Sequence, residues 1–370
     1  MFYYCIFSLS SCFIGISSLF NKQNNKLFKI LFALIGIVIL ALVSGLRDYS
    51  IGTDTINYNL FYNYANNAVN LFQYCSSLKH ISGVEYGFSF ICYLIAKTGL
   101  SPHAFYFLCQ FLISLNVFLA LNLMSKKLSI VLGWMTYCFM FYTSSFNILR
   151  QMIALSFILL GIAYMYKNKK IKSLLLLAVA CLFHSSSVIS ILIFITGYCV
   201  TRFKNKKELA ISIAVITISI FMLPKVIDIL NIGGLLSDKY SGYLVGNGKV
   251  PILLTGAIRL PMILCMFWCI IHNKGYNKRS DIFIYLLIIF ELIMIPLQNI
   301  SPAVARLLLV FGIAKILGYP LIINNIYNKL TLSKFIIQVL FIVYLGLIFY
   351  IQVILNNNGM VYPYIMGINN

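Results

Sequence analysis

Long apolar runs separated by short lysine-rich turns constrain this chain more than any other feature of its sequence. Hydrophobic residues make up 61% of the 370 positions and charged residues only 10%, whereas soluble domains keep about a quarter of their residues charged. A helix needs about 20 apolar residues to cross a hydrocarbon core of about 30 Å. The sequence therefore predicts an all-α, polytopic membrane protein, and it excludes a soluble enzyme or a nucleic-acid-binding protein.

The apolar runs predict about 12 transmembrane helices within a single membrane domain that covers residues 1–370. Their approximate bounds are 2–20, 28–46, 103–124, 129–146, 150–166, 172–184, 187–201, 208–224, 252–272, 282–298, 303–323 and 334–355. The segment 85–100 is apolar but short, with Glu85 at one end and Lys97 near the other. We interpret it as a half-helix or a re-entrant segment.

The excess of 28 Lys and Arg over 8 Asp and Glu gives a net charge of +20, much of it in short turns that the positive-inside rule places in the cytoplasm. These turns contain Lys22/Lys26/Lys29, Lys126/Lys127, Lys167/Lys169/Lys170/Lys172, Lys204/Lys206/Lys207, Lys274/Lys278 and Lys329/Lys334. They can all be cytoplasmic only if 85–100 does not cross. Both termini and two long extracytoplasmic loops, residues 47–84 and 225–251, then face outward.

Four arginines fall at the predicted outer ends of spans, where the positive-inside rule disfavours basic residues. They are Arg47, Arg150, Arg259 and Arg306. A guanidinium near hydrocarbon is costly, so we expect these side chains to have an anionic partner. Guanidinium groups bind phosphate oxygens through paired hydrogen bonds, and an anionic head group would fit. The alternative is that each arginine extends to the interface or pairs locally, as Arg47 would with Asp48.

Acidic residues and one histidine are the candidates for proton transfer. Asp54 and Glu85 belong to the predicted outer side, whereas Glu291 lies within a span and is either functional or the partner of an arginine. His184 ends a predicted helix in the sequence CLFHSSS. An imidazole with an ordinary pKa of about 6.5 suits proton abstraction from a hydroxyl. A hydrogen-bonded helix cap is the structural alternative.

Five short motifs occur in order along the chain. They are RDYSIGTDTINY from Arg47 to Tyr58, EYGF from Glu85 to Phe88, FNILRQMIA from Phe146 to Ala154, FHSSS from Phe183 to Ser187 and VARLLLVF from Val304 to Phe311. Together they resemble the EpsG-like branch of the bacterial O-antigen and exopolysaccharide polymerases, the Wzy type. The resemblance extends as far as the YPY sequence at Tyr362–Tyr364.

This resemblance implies a GT-C-like membrane glycosyltransferase of the bacterial inner membrane, with its active site facing the periplasm. Its donor would be a growing glycan on undecaprenyl diphosphate, and its acceptor the non-reducing sugar of another lipid-linked repeat unit. The reaction makes one glycosidic bond and releases undecaprenyl diphosphate, as in lipopolysaccharide biosynthesis. A chain-length regulator protein is an implied partner, and we expect no cofactor, no metal and no nucleic acid.

The candidate residues then divide into three roles. Diphosphate binding is assigned to Arg47, Arg150, Arg259 and Arg306, because fixed positive charge would stabilise the leaving group. The base is His184 first, followed by Asp54 and Glu85, whose carboxylates are weaker bases unless burial raises their pKa. Sugar binding is assigned to Tyr58, Asn147 and Gln151, since aromatic faces pack on sugar rings and amides hydrogen-bond hydroxyls.

Two other classes of protein fit the composition. A flippase that moves lipid-linked oligosaccharides would also have about a dozen helices, but such transporters usually carry an internal repeat, and none is evident in this sequence. A membrane acyltransferase that modifies the glycan would use a histidine such as His184. A purely structural role would leave the outward arginines unexplained.

Overall fold

The computed structural model describes residues 1–20, 25–202, 252–272, 279–297, 302–327 and 333–367, together with parts of 207–222. Within these residues the chain is helical, apart from turns and an isolated antiparallel bridge between Arg47 and Met366. This confirms the prediction of a helical membrane protein for the part of the chain that is described. The predicted second outer loop, 225–251, lies outside the described residues.

Fifteen α-helices have bounds that the structure describes, and the described parts of 207–222 are helical as well. They are α1 Phe2–Leu19, α2 Lys26–Gly45, α3 Thr55–Asn67, α4 Leu71–Ser82, α5 Tyr86–Ala96, α6 Pro102–Leu123, α7 Ile130–Met140, α8 Leu149–Tyr166, α9 Lys170–Cys181, α10 Ser190–Arg202, α11 Ile252–His272, α12 Arg279–Leu297, α13 Pro302–Gly312, α14 Lys315–Tyr327 and α15 Lys334–Phe349. Short 3-10 helices at Tyr142–Phe146 and Ser185–Ile189 precede α8 and α10, and a π-helix at Tyr350–Leu355 continues α15.

Eight helical segments among the described residues are long and apolar enough to cross a membrane. They are α1, α2, α6, α8, α11, α12, Ser185–Arg202 and Lys334–Leu355. Helices α13 and α14 meet at a bend of 43° and together form a candidate ninth span.

The predicted count of about 12 spans is not supported by helix length. The predicted spans 129–146 and 172–184 contain α7 and α9, which have 11 and 12 residues. At 1.5 Å per residue each is about 16 to 18 Å long, well short of the hydrocarbon core. The sequence-based spans continue past the ends of α7 at Met140 and of α9 at Cys181, because the residues that follow are also apolar although they are no longer α-helical. The predicted span 208–224 is described in part, and its described residues, which include 213–219, are helical.

Helix α8 is the centre of the bundle, with 83% of its residues buried. Polar side chains join the surrounding helices: Asn116 Nδ2 of α6 donates to Ser156 Oγ of α8 at 3.0 Å. Trp134 Nε1 of α7 donates to Ser10 Oγ of α1 at 2.9 Å. Hydrogen bonds of this kind hold membrane helices together, because lipid offers no alternative partner. By contrast only 17% of the span in α11 is buried.

The segment between α2 and α6 is largely helical, although the sequence interpreted 47–84 as an outer loop. It forms α3 and α4, and the Asn70 side chain caps α4 by accepting a hydrogen bond from Gln73 N at 2.8 Å. Helix α5 has 11 residues and is about 16 Å long, about half of a hydrocarbon core. Its length fits the interpretation of 85–100 as a segment that does not cross.

Two of the lysine-rich turns lie at one end of the bundle. At the start of α2, Lys29 Nζ donates to Asn122 Oδ1 near the end of α6, at 2.6 Å. The carbonyl oxygen of Lys127 accepts a hydrogen bond from Asn324 Nδ2 near the end of α14, at 2.9 Å. The turns that the sequence assigned to one side of the membrane are thus neighbours in the structure.

The N-terminus and the segment 361–367 lie at the opposite end of the bundle, where this segment crosses the loop that follows α2. Asp48 N donates to Ile365 O at 2.9 Å, and the hydroxyl of Tyr3 donates to Val361 O at 2.7 Å. The N-terminus, the segment 361–367 and the first loop therefore share one end of the described structure.

Candidate active site

Glu85 and Arg150 form an ion pair at the end of the bundle that carries the termini. Glu85 directly precedes α5, and Arg150 lies in the first turn of α8. Arg150 Nη1 donates to Glu85 Oε2 at 2.5 Å, and Glu85 Oε1 accepts a hydrogen bond from Ser185 N at 2.9 Å. Burial is the largest single influence and raises the pKa of Glu85, but the charge of Arg150, the nearby His184 and the hydrogen bond from Ser185 N together outweigh it, so this pKa falls below its ordinary value. Glu85 is therefore an anion that holds Arg150 in place.

His184 caps the 3-10 helix Ser185–Ile189, immediately beside this ion pair. Its Nδ1 accepts a hydrogen bond from Ser186 N at 3.2 Å and lies 2.8 Å from Ser186 Oγ. A backbone N–H can only donate, so Nδ1 carries no proton and the neutral ring carries its proton on Nε2. Burial lowers the pKa of His184 to about 4. The structure thus shows the helix cap that was the structural alternative, and in this tautomer Nε2–H is a hydrogen-bond donor.

Asp54 occupies the N-cap position of α3, but its side chain makes no capping hydrogen bond. The side chain is half-buried, and the charges of Arg306 and Arg150 act on it. Burial raises the pKa of Asp54 above its ordinary value, and the two arginines offset only part of this rise. A raised pKa makes a carboxylate a stronger base than usual, whereas the lowered pKa of Glu85 makes that carboxylate a weaker one.

Arg306 belongs to the same electrostatic cluster, since its charge acts on both Asp54 and His184. It lies on α13, and Gln151 Nε2 of α8 donates to its backbone carbonyl at 2.7 Å. Gln151 is only 1% exposed. Its amide therefore positions α13 against α8, and the structure does not support the predicted role of Gln151 in sugar binding.

Tyr58 and Asn147 connect α3 with the start of α8. The Tyr58 hydroxyl donates to Asn147 O at 2.8 Å. Asn147 Oδ1 accepts hydrogen bonds from Thr53 N at 2.5 Å and Thr53 Oγ1 at 3.0 Å. Tyr58 is buried, whereas Asn147 is partly exposed and remains available to a ligand. These bonds fix the loop that carries Asp54 next to the helix that carries Arg150.

Arg47 does not belong to this cluster, and its side chain is fully buried. Its guanidinium lies between the rings of Tyr106 and Phe146, with its central carbon 4.1 Å and 4.6 Å from the ring centres. Arg47 Nη1 donates to Ser44 O and Ser44 Oγ, at 2.7 Å each. The side chain has no exposed surface in this structure, so it offers no group to a diphosphate in this conformation. Arg47 stabilises the loop after α2 by packing.

Arg259 also belongs elsewhere, in a charged triad inside the bundle. Its Nε and Nη2 donate to Glu291 Oε1 at 3.0 Å and 2.9 Å, and Lys315 Nζ donates to the same oxygen at 2.6 Å. The side chain of Glu291 is 0% exposed and that of Arg259 12% exposed. The structure thus confirms that Glu291 pairs with an arginine, and Arg259 is removed from the diphosphate-binding set.

The sequence interpretation missed two kinds of participant. Lys315 lies in the apolar run VFGIAKILGY, where a lone lysine could have indicated a partner for Glu291. The backbone N–H of Ser185 and the hydroxyl of Thr53 act through the folded chain, and no sequence pattern marks them. Among the described residues, no group of three His, Cys, Asp or Glu side chains is placed to hold a metal ion.

The fold and this cluster define a multi-pass helical membrane protein with charged residues gathered at one end. The chain belongs to the EpsG family, which it matches over residues 29–366. The resemblance found in the motifs is thereby confirmed, and family membership indicates a membrane protein like the polysaccharide polymerases. No curated protein and no solved structure matches the chain.

Proposed function

We propose that this protein is an O-antigen or exopolysaccharide polymerase, a glycosyltransferase that joins undecaprenyl-diphosphate-linked repeat units. The observation that carries the proposal is the Glu85–Arg150 ion pair, with Asp54, His184 and Arg306 in one electrostatic cluster at the end opposite the lysine-rich turns. Such a cluster combines fixed positive charge with a candidate base, which are the two requirements of this transfer.

Arg150 and Arg306 bind the donor diphosphate in this proposal. The bond between the anomeric carbon and the diphosphate oxygen breaks, and its electron pair leaves with undecaprenyl diphosphate. Arginine stabilises that growing negative charge most strongly where water is partly excluded. The side chain of Arg150 is 21% exposed, so it is largely dehydrated but still reachable. Glu85 is a positioning residue, because it fixes the direction of the guanidinium.

Asp54 takes the proton from the acceptor hydroxyl, whose oxygen then bonds to the anomeric carbon. We assign the base to Asp54 rather than to His184, because burial raises the pKa of this carboxyl while the Nδ1 atom of His184 is already occupied. His184 offers an Nε2–H donor beside the ion pair. That group suits a hydroxyl or phosphate oxygen of the substrate.

The proposal also covers the protein's location, its membrane architecture and its partner. We place the protein in the bacterial inner membrane with this end facing the periplasm, because the lysine-rich turns lie at the other end. We also propose a GT-C-like architecture of about 12 membrane segments, in which the short helices α7 and α9 lie within the bundle without crossing the membrane on their own. A chain-length regulator protein is the proposed partner, alongside the lipid-linked glycan and the bilayer.

The test is polymerisation by the purified protein in lipid nanodiscs. A synthetic undecaprenyl-diphosphate repeat unit is supplied without nucleotide, and products are separated on gels. We expect a ladder of longer glycans together with release of undecaprenyl diphosphate. Arg150→Ala and Arg306→Ala should abolish the ladder, whereas Arg202→Ala, an exposed arginine in the last turn of α10, should leave it unchanged.

Two results would contradict the proposal. Movement of the repeat unit across a vesicle membrane without any chain growth would identify a flippase. Transfer of an acyl group to the glycan, lost in His184→Ala, would identify an acyltransferase.

A further inference from the structure

A cavity of about 290 Å³ opens near the cluster, between the end of α7 and the π-helix Tyr350–Leu355. Its polar lining consists of Thr143, Ser144, Asn147, Gln352 and Asn358. We call this cavity the Asn147 pocket. Its volume is at the lower limit for small-molecule sites and suits a ligand of about one sugar ring.

The polar groups of the Asn147 pocket are available to a ligand. Within the described residues, no hydrogen bond engages the side-chain hydroxyls of Thr143 and Ser144 or the side-chain amides of Gln352 and Asn358. Hydroxyl and amide groups both donate and accept, as the hydroxyl groups of a sugar require. The pocket is partly open and Asn358 is exposed, so a ligand that enters can reach these groups and pair with them.

The remaining lining is apolar and carries no charge. Phe139, Ile148 and Val353 contribute hydrophobic surface, and none of the ten residues that line the pocket is charged. A diphosphate would have no cationic partner in this cavity. A neutral pyranose matches both parts of the lining, since its hydroxyls meet the amides and its C–H faces meet the hydrophobic side chains.

The backbone around residue 359 brings the C-terminal turn against Asn147. Gly359 has φ of +81°, and a Cβ at this position would overlap Asn147 Nδ2. The preceding π-helix places Gln352 and Val353 in the pocket wall, and π-helical turns occur frequently at functional sites. Asn358 N donates to Gln352 O at 3.2 Å, which holds the turn on the helix.

Asn147 connects this pocket with the proposed base. The Oδ1 atom of Asn147 accepts hydrogen bonds from Thr53, the residue before Asp54. Asn147 itself lies three positions before Arg150 in the chain. A sugar in the pocket would therefore contact the residue that holds the loop of Asp54, whereas the diphosphate belongs to the arginines. We propose that the Asn147 pocket binds the terminal neutral sugar of the acceptor glycan. This inference rests on the proposed function and adds the position of its second substrate.

The experiment measures binding of a soluble acceptor glycan. The probe is an oligosaccharide prepared by partial hydrolysis of the cell's own surface polysaccharide, titrated into the full-length protein in nanodiscs. Gln352→Leu and Asn358→Ala should each weaken its affinity by about tenfold, the effect of one lost hydrogen bond. Asn356→Ala removes an exposed amide from the same turn, outside the pocket, and should leave the affinity unchanged.

A second probe separates this inference from the proposed function. Inorganic pyrophosphate should bind equally well to wild type, Gln352→Leu and Asn358→Ala, which also shows that these variants are folded, and it should bind poorly to Arg150→Ala. Failure of wild type to bind the oligosaccharide, or equal affinity in wild type and both pocket variants, overturns the inference even if polymerisation occurs. Oligosaccharide binding that depends on Gln352 and Asn358 supports the pocket even if no glycan chain grows.

Discussion

Arg150 Nη1 lies 2.5 Å from Glu85 Oε2, although 65 residues separate the two in sequence. This contact joins the first turn of the central helix α8 to the segment that enters the short helix α5. The side chain of Glu85 is only 8% exposed, so its carboxylate needs the guanidinium as a counter-charge. The ion pair therefore ties the position of α5 to the charge that we assign to donor binding.

Removing either member of this pair should destabilise the protein as well as inactivate it. We expect Glu85→Ala and Arg150→Ala each to lower the free energy of unfolding by about 1.5–3 kcal/mol, the range for hydrogen bonds to charged groups. Thermal unfolding in nanodiscs measures the loss. The doubly substituted Glu85→Arg, Arg150→Glu protein should recover part of this stability but no polymerase activity. Recovery of activity in the exchanged pair would show that Arg150 does not need to face the diphosphate.

Asp54 should control the acid side of the pH profile. The carboxylate must be ionised to accept a proton, and burial raises its pKa above the ordinary 3.8, so activity should fall as pH falls through that raised value. Polymerisation rates at saturating donor, measured from acidic to neutral pH, test this. Asp54→Asn should be inactive while binding pyrophosphate normally. An Asp54→Asn protein with wild-type turnover would show that another residue accepts the proton.

His184 should behave as a cap and a donor rather than as a base. We expect His184→Asn, which keeps a capping oxygen, to retain much more activity than His184→Ala. The folded protein lowers the pKa of His184 from 6.5 to about 4, so protonation favours the unfolded chain. Its contribution to stability is present above pH 6.5 and is lost as pH falls towards 4.

Thermal melts between neutral pH and pH 4 should show this loss in wild type and a smaller one in His184→Asn. Complete inactivity of a folded His184→Asn protein would instead support proton abstraction by the imidazole.

The sequence was most informative where a simple physical rule governs placement. Apolar run length predicted the eight long spans, and the lysine pattern predicted that the turns containing Lys29 and Lys127 lie together. The same pattern placed Arg150 and Arg306 at the end of the molecule opposite these turns. These features depend on the contrast between hydrocarbon and water, which acts on each segment of the chain largely by itself.

The sequence was least informative where side chains choose among partners. Arg47, Arg150 and Arg259 occupy similar positions in the sequence pattern, but one packs between two rings, one pairs with Glu85 and one pairs with Glu291. Helix ends also differed from the predicted ones: the predicted span 129–146 contains α7, which ends at Met140 and is followed by a 3-10 helix. Partner choice and helix ends depend on contacts between distant segments, which run length and charge do not encode.

The triad of Arg259, Glu291 and Lys315 provides a test away from the proposed active site. It has two cations and one carboxylate, so Glu291→Gln leaves both cations buried without a counter-charge. We expect this variant to lose about 3–5 kcal/mol of stability, whereas Lys315→Met leaves a neutral Arg259–Glu291 pair and should change stability by less than about 1 kcal/mol. Monodisperse yield and thermal unfolding measure both variants. Equal damage from the two substitutions would show that Lys315 is required for packing rather than for charge balance.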